Sequence, residues 1–161
     1  MQSNTDFSVS RIAQSYMDMV YRLALNYLKK PEAADDVTQE VFVRLLRAKT
    51  SFESEEHVKR WLIKVTINEC KRYNASLPWK DEPLDDYADK LSFSSDEVSD
   101  VFQAVMSLPG KYSSVIHLHY YEEYSTSEIA QILKIPHSTV RTRLERGRKM
   151  LKEKLSEVEN V

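Results

Sequence analysis

The chain has 161 residues, with 23 Lys+Arg against 25 Asp+Glu, 42% hydrophobic residues, and only 2 Gly and 5 Pro. That mix permits a packed core and excludes wholesale disorder, and it leaves too few turn-formers for a multi-stranded sheet. No apolar run approaches the roughly 18 residues of a membrane span, the opening MQSNTDFSVSR has no charged-then-apolar leader, and the single cysteine, Cys70, excludes an internal disulfide. An all-α chain of two small helical domains is expected, cytoplasmic and without direct membrane binding.

The first lobe begins near Phe7. Met17, Val20, Tyr21, Leu23, Ala24, Tyr27 and Leu28 recur at three- and four-residue spacing, one apolar face of a helix. Lys29-Lys30-Pro31 ends it, because proline disfavours helical geometry in the residue before it. A second helix is expected in PEAADDVTQEVFVRLLRA, whose acidic start and basic end (Arg44, Arg47, Lys49) complement the helix dipole. A third, EEHVKRWLIKVTINECKRY, turns Val58, Trp61, Leu62, Val65 and Cys70 toward a core. These make a first domain over residues 1–75.

Residues 76–97 read as a flexible acidic linker, rich in Ser, Asp and Pro and weak in periodicity. The charge shifts sharply here: residues 76–100 hold 2 Lys+Arg against 8 Asp+Glu, whereas residues 138–155 hold 7 against 2. Local charge is therefore a better guide to partners than the formal total of −2.

The second domain, 98–161, starts with VFQAVMSL, breaks at Pro109-Gly110 and resumes as KYSSVIHLHYYEEY. Ser125-x-x-Glu128 fits a capping box, followed by a short helix through Ile129, Ala130, Ile132 and Leu133. After a break of four to five residues, Val140, Leu144, Gly147, Leu151 and Leu155 form an inward stripe. Ser138, Thr142, Glu145 and Arg146 then face outward, flanked by Thr139, Arg141 and Arg143. A short helix, a tight turn and a helix with guanidinium groups outside make a helix-turn-helix. Its second helix would enter the major groove, where arginine pairs with guanine and Ser or Thr meets base edges or phosphates. A merely solvated amphipathic helix would also be basic, but it would not need a capped partner at this separation.

Three stretches in order resemble the small extracytoplasmic-function (ECF) sigma factors of bacterial RNA polymerase, in the sigma-70 family. AADDVTQEVFVRLL resembles the polymerase-clamp-binding helix, WLIKVTINECKRY the helix that reads the minus-ten element, and residues 108–155 the minus-thirty-five domain. The resemblance implies a non-catalytic promoter-specificity subunit with no cofactor, directing initiation in response to an envelope or environmental stress. It assigns Asp35, Asp36, Gln39, Glu40 and Phe42 to the coiled coil of the largest polymerase subunit, and carboxylates at helical spacing suit a basic helical partner. The flap of the second-largest subunit is a further implied contact. For the minus-ten element, read partly as single strand, the candidates are Phe52, Lys59, Arg60, Lys64, Asn68, Lys71 and Arg72, a basic track with an amide for a base edge. Minus-thirty-five duplex contacts fall to Ser138, Thr139, Arg141, Thr142, Arg143, Glu145 and Arg146. An anti-sigma factor, often membrane-anchored in the family, is the implied inhibitor.

Three positions depart from the usual family pattern. Arg72 stands where many relatives are acidic, Ser113 where arginine is frequent, and Glu123 where glycine is frequent. His57, His117, His119 and His137 are not at metal-ligand spacing with Cys70, beyond a weak His117-x-His119 pair, so no metal is expected. Two other functions fit parts of the chain: a stand-alone helix-turn-helix regulator with a helical partner-binding module, and a helical adaptor that binds only protein.

Overall fold

The computed structural model describes residues 7–76 and 100–159. The expected linker lies outside the described residues except for Ser76. Among the described residues every regular element is helical.

Helix α1 spans Val9–Leu28, opened by Ser8, whose hydroxyl accepts from the Arg11 amide at 3.3 Å. It closes at Lys29, which takes left-handed geometry (φ 68°) while its amide donates to the Leu25 carbonyl. Termination thus falls on Lys29, one residue before the position that proline restrains. Pro31 then occupies the first turn of α2, Pro31–Arg47, where its missing N–H costs nothing. Helix α3, Glu55–Ser76, begins after Ser54, whose hydroxyl accepts from the His57 amide at 3.0 Å. These three helices pack on one another around Val20, Ala24, Leu25, Val37, Val41, Leu45, Val58, Leu62 and Cys70.

Met17 departs from the expected apolar face, being 46% exposed. Only the last turns of α1 are enclosed on all sides, where Leu23, Ala24, Leu25, Asn26 and Leu28 are all buried. The added cover comes from the second lobe, since α1 packs against α5.

In the second lobe α4 spans Asp100–Met106 and α5 spans Gly110–Ile116, running on through a π-helical segment at His117–Tyr121. The widened turn was invisible to a 3.6-residue pattern. Glu123 follows at φ 62°. This left-handed geometry is one that glycine adopts more readily than other residues. Helix α6, Thr126–Leu133, carries the expected capping box: the Ser125 hydroxyl accepts from the Glu128 amide at 3.1 Å and the Glu128 carboxylate accepts from the Ser125 amide at 3.0 Å.

Lys134 closes α6 in left-handed geometry (φ 55°), and α7, His137–Glu159, starts after residues 134–136. The turn is therefore three residues long, shorter than the four to five expected, because Lys134 itself supplies the reversal. Val140 and Leu144 are buried, and Gly147 lies so close to α5 that a Cβ there would fall 2.6 Å from Ile116 Cδ1.

The second core gathers Val105, Leu108, Val115, Leu118, Ile129, Ile132, Val140 and Leu144, together with Leu23, Ile63 and Ile67 of the first lobe. The lobes are thus packed together, α1 on α5 and α3 on α6.

Replacing Ser125 with alanine is expected to lower the stability of the second lobe by about 1 kcal/mol. A urea titration of the full chain checks this; an unshifted midpoint would show that the cap contributes nothing.

Candidate nucleic-acid and polymerase interfaces

The outer side of α7 is a cationic surface. Ser138, Arg141, Thr142, Glu145 and Arg146 are exposed, while Thr139 and Arg143 are half-buried. Arg148, by contrast, is turned away and held by Tyr120: its Nε donates to the phenol oxygen at 2.6 Å, and the guanidinium lies 5.5 Å from the ring. Four arginines close in sequence therefore divide between two jobs.

Packing of α5 on α7 brings two further residues to this face that the sequence did not single out. Lys111 and Tyr112 join Ser138, Thr139, Thr142, Arg143 and Arg146 around an open notch of about 300 Å³. Burial works to raise the Tyr112 phenol, but hydrogen bonding to Arg146 and the charge of Lys111 outweigh it and hold the group below its usual value. Such a notch, with cations converging on hydroxyls, suits a phosphate oxygen. The Lys-Tyr pair was legible within LPGKYSS, but its place beside α7 required the tertiary contact.

The seven minus-ten candidates, six on α3 and Phe52 in the segment before it, separate into three groups. Asn68, Lys71 and Arg72 are exposed, with Arg72 reaching Glu69 at 3.4 Å. Lys59, Arg60 and Lys64 instead face the second lobe. Lys59 Nζ sits 2.8 Å from Glu122 Oε2, and Arg60 Nη2 sits 2.8 Å from Glu128 Oε2. Arg60 Nε also pairs with Glu56 at 3.0 Å, and both cations lie over the Tyr124 ring. Lys64 meets Lys134, whose contact and like charge, together with burial, lower the Lys64 ammonium from its usual value. Phe52 is half-buried and edge-on to Phe7, His57 and Trp61, with ring centroids 6.3, 5.2 and 5.8 Å away.

Among the described residues, Glu122 is a strongly shifted carboxyl. His117, whose Nε2 lies 3.6 Å from Glu122 Oε1, has the largest influence, burial opposes it, and Lys59 adds to it; together they hold Glu122 at about 2. The stabilisation is present above the ordinary carboxyl range near 4.5 and is lost as pH falls toward 2. His117 also stacks on Tyr121 with centroids 5.4 Å apart, while His119 Nδ1 lies 2.8 Å from the Tyr124 carbonyl. The two histidines thus have separate packing roles.

On α2, Asp35, Asp36 and Gln39 are exposed and Glu40 is half-buried, paired with Arg44 at 3.4 Å. Phe42 differs: it is 8% exposed and belongs to the first core, so it supports this face from beneath and does not present itself. Leu46, which the sequence reading passed over, is 67% exposed. It follows Asp35 and Gln39 down one side of the helix at i, i+4 and i+11. The face is therefore carboxylate and amide ending in one uncovered leucine. Beside it runs a groove of about 370 Å³ walled by Glu40, Arg44, Arg47, Thr50, Trp61 and Val65.

Comparison with known proteins gives the class that this combination of helices defines. The Sigma-70 region 2 family model matches residues 12–77, and a Sigma-70 region 4 model matches residues 99–151. The ECF RNA polymerase sigma factor SigW of Bacillus subtilis is 31% identical over 91% of this chain and 88% of its own length. From the same organism, the ECF sigma factor SigM is 29% identical over 90% of this chain and 93% of its own length. In fold, the chain resembles a sigma factor RpoE solved with the anti-sigma factor NepR from Bartonella quintana, at TM-score 0.66 and 19% identity, covering 91% of this chain and 96% of that one.

The chain belongs to the ECF sigma factors of the sigma-70 family. It is a promoter-specificity subunit of bacterial RNA polymerase, a non-catalytic factor that binds core enzyme and promoter DNA.

Changing Lys111 to alanine is expected to weaken binding of the full chain to duplex DNA, and to reduce the slope of log affinity against log salt by about one phosphate contact. A salt titration by fluorescence anisotropy measures it; an unchanged slope would remove Lys111 from the DNA face.

Proposed function

We propose that the second lobe, residues 98–161, reads the minus-thirty-five element through Ser138, Thr139, Arg141, Thr142, Arg143, Glu145 and Arg146. The first, residues 1–75, captures the minus-ten strand along α3 through Lys59, Arg60, Lys64, Asn68, Lys71 and Arg72, with Phe52 at its margin. Asp35, Asp36, Gln39 and Glu40 dock on the clamp of the largest polymerase subunit. The observation that carries this reading is the exposed guanidinium row of α7, presented by a capped helix that is itself anchored in the core. The stand-alone regulator fares less well, because it leaves the acidic face of α2 and its exposed leucine without a partner.

Two promoter elements have to be met at fixed separation, and core enzyme supplies that spacing. Free affinity for duplex DNA is accordingly weak, and if about five phosphates are contacted it falls by two to three decades between 50 and 200 mM salt. No helix among the described residues is long and apolar enough to cross a membrane; with polymerase as partner, the chain works in the cytoplasm. An anti-sigma factor is the fitting inhibitor, as in the Bartonella complex.

Charge reversal at Arg141 or Arg146 is expected to abolish transcription from the cognate promoter in a reconstituted assay while core polymerase still binds. Gln39 and Glu40 changed together to alanine should weaken holoenzyme assembly at least tenfold, about 1.4 kcal/mol. Full transcription in the first case, or normal assembly in the second, would remove the respective face from the reading.

A further inference from the structure

Glu69 stands between the two faces of the first lobe and is used by neither. It is 8% exposed, although Asn68 and Lys71 on either side of it are exposed. Two guanidinium groups converge on one of its oxygens: Arg44 Nε of α2 lies 2.7 Å from Oε1, and Arg72 Nη1 lies 3.4 Å from the same atom. Arg44 is also 3.4 Å from Glu40. The row Glu40, Arg44, Glu69, Arg72 therefore crosses from α2 to α3. It runs beside a cleft of about 370 Å³ that Glu40, Glu69 and Arg72 share with Asp36, Tyr73 and Ser76.

Neutralising a buried carboxylate does not account for Arg72. The nearer Arg44 already does that, and the Arg72 side chain is 66% exposed, where an ion pair contributes little to stability. What Glu69 does give Arg72 is a fixed direction. Contact through Nη1 alone leaves the Nε–Nη2 edge, with its two parallel N–H groups, unpaired among the described residues. That edge matches the O6 and N7 acceptors of guanine, whereas adenine sets a donor beside its N7. Asn68 lies one turn earlier on the same exposed side, and asparagine matches adenine. Four residues of helix span about 6 Å, close to two base steps of about 3.4 Å each.

We propose that Arg72 selects guanine within the minus-ten element and that Glu69 is its positioning residue. The proposal rests on the reading of that element by α3 and adds a base and a place to it: a guanine about two steps from the base that Asn68 meets. Arg44 holds Glu69 from α2, so the direction of Arg72 is set by the packing of two helices and not by one flexible side chain.

The test is transcription by core polymerase reconstituted with the full chain, from a template pool randomised across the minus-ten element, with the transcripts sequenced. The unsubstituted chain should favour guanine about tenfold at one position. Arg72→Gln should move the preference there to adenine, because glutamine pairs with N6 and N7, and should not move the preferences elsewhere. Glu69→Gln should flatten the guanine preference at that position alone, and Glu69→Asp should restore part of it. Equal loss on all templates in Glu69→Gln overturns the positioning role, since packing alone would act that way. No guanine preference, or guanine retained in Arg72→Gln while Asn68→Ala alters a different position, overturns the selection by Arg72. If Arg72→Gln and Asn68→Ala both leave every minus-ten preference unmoved, the strand-reading role of α3 has failed and the proposal falls with it.

Discussion

Everything in this molecule is organised by the double use of α1 and α3. Each presents one apolar side to α2 and another to the second lobe, so that Leu23, Ile63 and Ile67 are buried in a core that mostly belongs to α4 through α7. A fully buried aliphatic side chain contributes about 1.5–3 kcal/mol. Separating the lobes therefore exposes three such side chains at once, a cost that only a new partner surface can offset.

Electrostatics decides how firmly that contact holds. The Lys59 and Glu122 side chains are 24% and 19% exposed, so the pair is less screened than the surface pairs whose median worth is about 0–1 kcal/mol. Against it stand a buried lysine with no acid partner among the described residues and a pair of neighbouring lysines. The apolar term draws the lobes together, and the charge terms limit how far. Such opposition is what a two-state contact requires, because a ligand can shift an equilibrium only by its differential affinity for the two states.

Much of the plan was legible along the chain, and the reasons for the rest are local. Ser125 and Glu128 announced the cap because a capping box is a contact within four residues, and the stripe from Val140 to Leu155 announced α7 because amphipathicity is written into spacing. The burial of Phe42 within the docking motif was not legible, because the resemblance gives a motif and not the direction of each side chain in it. Leu23 was correctly read as buried, yet periodicity says only that a face is apolar and never which lobe covers it. Ser113 shows the same limit: a departure from arginine looked neutral in sequence, but there it is the buried acceptor for Lys29 between the lobes. An arginine at that position would bring a second cation to the buried lysine.

Glu128 joins the two levels of organisation. Its Oε1 takes the Ser125 amide and closes the capping box, while its Oε2 takes Arg60 of the first lobe. The backbone and hydroxyl of Ser125 lead in holding this carboxyl below its usual value, and Arg60 adds to them. One side chain thus fixes the start of the helix-turn-helix and aims its free oxygen at α3. Since the two contacts use different oxygens, Arg60 can leave without dismantling the cap. The cap that sets the start of α6, and with it the placement of α7, therefore does not depend on the contact with α3.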